Sequence, residues 1–206
     1  MRILLIGGGG TVGRSIHESI LREHSQLSFN ESCAEIIVVG RSSRLYPLDA
    51  KNEESCNIFF NNIGSFDALV CTFGETKWEK LNSICPISES LSNKAEAQIR
   101  VALAARTIIR SPGSVTLTSG VVGSILSPFG TASAVANAAI EAFVKSCSPE
   151  FPKGVRVNVV RPNLLLESKS KYEKFFPGQK TVTRDEVSAA YLRSIYGVET
   201  GTIIST

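Results

Sequence analysis

Short apolar runs bounded by turn residues recur along the chain, at 3–6, 36–39, 68–71, 115–117, 155–160 and 202–204. Each is continuous rather than alternating, the pattern of a strand covered on both faces. Between them lie longer stretches with helical spacing, at 12–24, 51–62, 89–110, 130–148 and 184–196. Strand and helix take turns from end to end, which predicts parallel strands joined by crossover helices. The expected fold is α/β, a doubly wound parallel sheet of about seven strands with helices on both faces. Helix 130–148 is rich in alanine, at positions 132, 134, 136, 138, 139 and 142. Small side chains there serve either close packing on the sheet or a flat face for a partner subunit.

A length of 206 residues and 43% hydrophobic content suit one domain spanning 1–206. Sixteen glycines and eight prolines are scattered, so nothing reads as a linker, repeat or low-complexity tract. The net charge of +3 comes from interspersed signs. No basic run would track a phosphate backbone, which argues against a nucleic-acid partner. The N-terminal apolar run stops at Gly7, short of the ~7–15 residues of a signal core, and no window approaches a ~20-residue span. A cytoplasmic protein without a membrane partner is expected. Cys33, Cys56, Cys71, Cys85 and Cys147 are odd in number and widely spaced, which predicts reduced thiols rather than a disulfide frame or zinc site. With only His17 and His24 available, neither a histidine-rich metal centre nor a Ser-His-Asp triad is expected.

Candidate chemistry begins directly after the first run, at Gly7-Gly8-Gly9-Gly10-Thr11-Val12-Gly13. Strand, glycine loop and helix follow in the order of a dinucleotide-binding Rossmann unit. Glycine suits this place because a side chain would bar the backbone from a pyrophosphate. The free amides of Thr11, Val12 and Gly13 at the helix start would stabilise its charge. The second strand leads into Gly40-Arg41-Ser42-Ser43-Arg44. An NAD site usually places Asp or Glu here, whereas Arg41, Arg44 and the serine hydroxyls suit a 2′-phosphate, so NADP(H) is favoured over NAD(H). The same loop approximates a phosphate loop through Gly8 and Gly13-Arg14-Ser15, with arginine in place of lysine. A degenerate nucleotide-triphosphate site is the minor alternative, since no later strand ends in the acidic residue that would hold magnesium.

With these elements placed, the chain resembles the short-chain dehydrogenase/reductase family over nearly its whole length. Leu48-Asp49-Ala50 looks like the family's adenine-binding acidic site. Asp67-Ala68-Leu69-Val70-Cys71-Thr72-Phe73-Gly74 stands where the family has its Asn-Asn-Ala-Gly segment, of which Gly74 survives. Thr116-Leu117-Thr118-Ser119-Gly120 resembles the strand that carries the catalytic serine, and the run from Gly154 to Pro162-Asn163 resembles the one that ends in Pro-Gly. The resemblance implies that Gly7, Gly10, Thr11, Val12, Gly13, Arg41, Ser42, Asp49, Ala50, Phe73, Gly74, Asn137, Pro162 and Asn163 hold the cofactor. It also implies a homodimer or tetramer through helices 89–110 and 130–148, and a small carbonyl or hydroxy substrate.

The departure lies in helix 130–148. Where the family has Tyr-x-x-x-Lys, this chain has Ser133 and Asn137, and no tyrosine occurs between Tyr46 and Tyr172. A phenol with an ammonium one helical turn away exchanges protons near neutral pH; a serine hydroxyl or an asparagine amide does not. Lys94 is the candidate substitute acid, because burial would lower its pKa, although a lysine on a helix is ordinarily solvated. Ser119 is the candidate for orienting a carbonyl, and Asn137 for bonding the nicotinamide ribose. Ser133 and Asn137 also suit simple local hydrogen bonding. Two functions follow: an oxidoreductase with an atypical site made of Ser119, Lys94, Ser133 and Asn137, or a non-catalytic NADP(H)-binding sensor. The segment 163–181 contains Tyr172, Phe175, Phe176 and Pro177, which either cover a small apolar pocket or pack on the domain's own core.

Overall fold

The computed structural model of the chain describes residues 1–27 and 34–206; Cys33 lies outside them. Six parallel strands, β1 (Arg2–Ile6), β2 (Glu35–Val39), β3 (Phe66–Cys71), β4 (Ile109–Thr118), β5 (Val155–Arg161) and β6 (Ile203–Ser205), form one sheet in the order β2-β1-β3-β4-β5-β6. The helices are α1 (Thr11–Leu27), α2 (Glu53–Asn62), α3 (Cys85–Ser90), α4 (Ala97–Ala105), α5 (Thr131–Cys147), α6 (Lys169–Tyr172) and α7 (Arg184–Tyr196).

The continuous apolar runs have the expected cause. Along β1, Ile3 and Leu5 enter a core shared with α1 and α7, while Leu4 and Ile6 enter another beneath α2, α4 and α5. Strand residues alternate faces, so a strand with a core on each side is apolar throughout. Local signals fix the helix starts. Asn52 caps α2 by accepting from Ser55 N at 2.9 Å, and Thr183 with Glu186 forms a reciprocal capping box at the start of α7.

The sheet has six strands rather than about seven. Beyond β2, where a further edge strand would lie, the chain makes a single parallel bridge between Gly40 and Pro47. Pro47 has no N–H to donate to a ladder. The stretch expected as one helix over 89–110 also divides. It turns helical at Cys85, passes through a π-helical segment at Leu91–Glu96, and ends at Ala105, and β4 begins at Ile109. Ile109 pairs with Phe66 of β3; periodicity alone does not separate a buried helix end from a buried strand start.

The chain leaves β1 toward β2 on one side and returns to β3 on the other. The carboxyl ends of β1 and β3 therefore flank the crevice in which such sheets bind ligands. Among the described residues no helix is long and apolar enough to cross a membrane, and no group of His, Cys, Asp and Glu is placed to hold a metal ion. Cys56, Cys71, Cys85 and Cys147 are free thiols.

Candidate active site

The glycine loop closes the end of β1, and its glycines do two different things. Gly7 has φ +87°, and a methyl group on it would lie 2.9 Å from Phe73 Cβ; on Gly13 it would lie 2.5 Å from the Gly7 carbonyl oxygen. Those two are glycine because the loop packs against itself and against the end of β3. A methyl on Gly9 would meet nothing within 4 Å, and on Gly10 only the Gly7 oxygen at 3.5 Å. The space over Gly9 and Gly10 is open, as a closely approaching ligand requires. Thr11, Val12 and Gly13 start α1, whose first amides have no intrahelical acceptor.

Gly7, Gly10, Arg41, Asp49, Ala50, Phe73 and Gly74 line one cavity of about 360 Å³, together with Lys51, Thr72 and Asn93. Seven of the residues expected at the cofactor thus share one space at the β1/β3 crevice. Lys51 Nζ donates to Asn93 Oδ1 at 3.2 Å across its wall. Arg41 is exposed at its rim, and Ser42 is exposed outside the lining. A groove of about 790 Å³ on the outer flank, between Leu45 and α2, shares Arg41, Leu48 and Asp49 but does not reach the glycine loop. We place the candidate site at the smaller cavity because the glycine loop lines it, through Gly7 and Gly10. Ser15, the hydroxyl a phosphate loop would direct at a metal, instead pairs with Ser188 on α7 at 2.9 Å. These residues suit a dinucleotide: an open glycine cradle, helix-start amides and an adjoining cavity with a basic rim.

At the other half of the crevice the chain builds a network of its own. Lys94 lies in the π-helical segment, buried against Gly74, where a methyl would come within 2.5 Å of Lys94 Cγ. That contact gives a physical reason for the glycine. Lys94 Nζ donates to the Ser119 carbonyl at 2.8 Å and to Asn137 Oδ1 at 2.7 Å. Burial pushes its pKa down to about 8, against a smaller upward pull from Glu141. Asn137 spends both N–H groups on the carbonyls of Gly120 and Val122, at 3.3 and 2.9 Å. The amide thus staples the loop after β4 to α5, with no N–H left for a ribose. An ammonium does stand beside the helix position of the missing lysine, but it arrives from the facing helix.

Ser119 is buried, and its hydroxyl donates to Glu141 Oε1 at 2.8 Å. Glu141 also takes a two-pronged contact from Arg161, at 2.9 and 2.6 Å. Burial raises the Glu141 pKa, but the hydrogen bonds from Arg161 and Ser119 outweigh it and hold the carboxyl below its usual range. Ser133 is buried on the same face of α5, one turn before Asn137, with Glu141 one turn beyond. Sequence reasoning missed Glu141 and Arg161, and also Gln98. Fully buried, Gln98 donates to the carbonyls of Phe73 and Thr118 and accepts from Thr118 N, which ties the ends of β3 and β4 together. The available signals were the i, i+4 spacings Lys94/Gln98 and Asn137/Glu141 on helices otherwise apolar toward the sheet.

Beyond Gly120, Val121 N donates to the Pro162 carbonyl at 3.0 Å. Asn163 N bonds Thr206 Oγ1. Here segment 163–181 folds over the ends of β4 and β5 through α6 and short 3₁₀ turns. A cleft of about 170 Å³ opens beside it, walled by Trp78, Tyr172 and Phe176 together with Val121, Leu164 and Leu165.

A family model described as enoyl-(acyl carrier protein) reductase matches residues 32–194. The protein lin1944 of Listeria innocua is 33% identical over all of this chain and 99% of its own, with a TM-score of 0.91. A small-chain dehydrogenase solved in complex with NADPH is 24% identical, over 100% and 96% of the two chains, with a TM-score of 0.80. The aldohexose dehydrogenase of Thermoplasma acidophilum, at 16% identity over 100% and 91%, has a TM-score of 0.82. No curated protein matches the sequence. The fold, the glycine loop and these similarities define the class: the chain belongs to the short-chain dehydrogenase/reductase family.

Proposed function

We propose that this protein binds NADP(H) at the glycine loop and reduces or oxidises a small carbonyl or hydroxy compound at the ends of β4 and β5. The observation that carries the reading is the single cavity in which Gly7, Gly10, Arg41, Asp49, Ala50, Phe73 and Gly74 meet. The NADPH complex of the similar small-chain dehydrogenase supports the choice of nucleotide. When bound, a nicotinamide would supply the hydride in reduction or accept it in oxidation. The chain's own residues then have distinct tasks. Thr11, Val12 and Gly13 stabilise the pyrophosphate charge, and Arg41 with Ser42 receives the 2′-phosphate. Lys94 and Asn137 fix the loop 119–122, and Gln98 fixes the strand end before it at Thr118. Below a pH of about 8, the buried ammonium of Lys94 adds positive potential behind this loop, from a position fixed by the Ser119 carbonyl and Asn137. Ser119 acts through its link to Glu141, as a positioning residue. Pro162 and Asn163 close the far end of the cofactor site.

Calorimetry with NADPH and NADH, followed by NADPH oxidation over a panel of carbonyl compounds, tests this. The expected result is tighter binding of NADPH, turnover of at least one carbonyl, and a larger loss of affinity for NADPH than for NADH in Arg41→Ala. Equal losses would remove Arg41 from 2′-phosphate recognition. A second reading, a sensor that binds NADP(H) without turnover, is favoured by the Ser119 hydroxyl being engaged by Glu141; cofactor binding with no turnover of any carbonyl selects it. The family resemblance further supports a homodimer or tetramer through α4 and α5, whose outward faces present Leu103, Ala138 and Ala142.

A further inference from the structure

The cleft at the ends of β4 and β5 has a composition that selects its occupant. No carboxylate, ammonium or guanidinium lines it. Three aromatic rings form one side. Trp78 is the chain's single tryptophan, and its ring centroid lies 5.3 Å from Tyr172 and 5.8 Å from Phe176. These contacts bring the loop after β3 against segment 163–181. Asn163 also lines the cleft. Its Oδ1 accepts from Leu164 N at 2.7 Å and from Gln179 Nε2 at 3.0 Å. That pairing fixes the amide orientation, and its Nδ2 makes no hydrogen bond among the described residues. The cleft therefore combines aromatic and aliphatic walls with neutral polar groups only, those of Asn163, Ser168, Tyr172 and the Trp78 indole N–H. It begins at Val121, two residues beyond Ser119.

From this composition we propose that the cleft takes a small, uncharged, ring-sized carbonyl compound, with its oxygen toward Asn163 Nδ2. The inference rests on the oxidoreductase reading for its chemistry, though not for its binding. Size and polarity both point this way. The cleft, open to solvent on one side, measures about 170 Å³, room for one ring: an enclosed apolar cavity of about 150 Å³ holds benzene. A carboxylate set against such walls finds no cation, and a polyol meets aromatic and aliphatic carbon at most of its hydroxyls, whereas a lone carbonyl needs a single donor.

The position of Trp78 allows a test that does not require catalysis. Cyclohexanone and benzyl alcohol, as ring probes, and pyruvate and glucose, as charged and polyol probes, are titrated into the protein, with and without NADPH, while tryptophan emission is followed. Ring probes are expected to shift the emission saturably, with affinities at least about tenfold above those of the other two. In Ser168→Phe, at a half-exposed wall position, the ring probes lose about tenfold or more with the melting temperature unchanged. Pyruvate or glucose binding as tightly, no saturable shift with any ring probe, or unaltered ring binding in a folded Ser168→Phe protein would each overturn the proposal. The two readings fail separately. Ring binding without NADPH oxidation ends the catalytic reading and keeps the cleft. Turnover of pyruvate or glucose without ring binding keeps catalysis and ends the proposal.

Discussion

At the scale of single residues, the glycine loop separates positions that serve the chain from positions that serve a ligand. A methyl group at Gly13 collides with the Gly7 oxygen and with Gly8 Cα, both backbone, whereas at Gly10 it makes ordinary contact. Gly13→Ala is therefore expected to lower stability by about 2 kcal/mol or more, as overpacking does. Gly10→Ala should leave the melting temperature nearly unchanged while weakening NADPH binding about tenfold or more. Calorimetric melting and titration of both variants check the pair; equal stability losses would mean that Gly10 is structural too. Lys94 gives a second test with a definite sign. Its ordinary pKa of 10.5 falls to about 8 in the fold, so below pH 8 the folded protein bears the full cost of a buried charge. Between pH 8 and 10.5 the unfolded chain holds the proton that the folded protein releases, and stability rises by up to about 3 kcal/mol. Lys94→Met lacks that rise. The wild type should thus gain on the variant as pH increases through this window, by denaturant melts at matched pH. A constant difference would place the Lys94 pKa near its ordinary value.

Elements differ in how much of them the sequence declares. Strands with a core on each face carry a continuous apolar signal, and α7 announces its start through Thr183 and Glu186, so these were legible. The π-helical segment at Leu91–Glu96 was not, because no local composition distinguishes a widened turn; what accompanies it is the burial of Lys94 beneath Gly74. The site divides in the same way. The glycine loop was legible because strand, loop and helix are contiguous in sequence; the cavity beside it gathers residues from 6 to 93, and only its share of the loop could be read that way. Glu141 meets Arg161 across 20 residues and Lys94 meets Asn137 across 43, and pairings of that separation leave no local trace. Ser119 was legible as a position and misleading as a free hydroxyl, since its partner could not be read. The outward faces of α4 and α5 belong to this scale as well. Leu103 is 41% exposed on α4, so Leu103→Glu costs the monomer little, while a charge buried without a partner in a subunit contact is strongly unfavourable. Light scattering should report a multiple of the 22.2 kDa chain for the wild type and the single-chain mass for the variant. A wild type that is monomeric at all concentrations would remove the helix-pair assembly.

For the whole molecule, the crevice between β1 and β3 is where the two halves of the sheet meet, and a ligand there contacts both. The cavity draws on β1 through Ile6 and Gly7, on the segment after β2 through Arg41 and Asp49, and on the end of β3 through Phe73 and Gly74. Gln98 and Lys94 tie that end to β4 and α5. A ligand that binds the native fold and not the unfolded chain stabilises the whole cooperative unit, by about 2.7 kcal/mol at a hundred times its Kd. For a chain of about 200 residues this is a rise of roughly 5–11 °C in melting temperature. NADPH should therefore raise the midpoint more than NADH at equal concentration, because only NADPH offers a 2′-phosphate to Arg41. In Arg41→Ala the two shifts should converge while the melting temperature without ligand stays the same, since Arg41 is exposed and makes no ion pair within the described residues. Convergence would trace the preference to one rim cation. Persistence of the NADPH advantage would move it to Arg44 and the serines of the same loop, and absence of any shift with either nucleotide would end the cofactor reading of the crevice altogether.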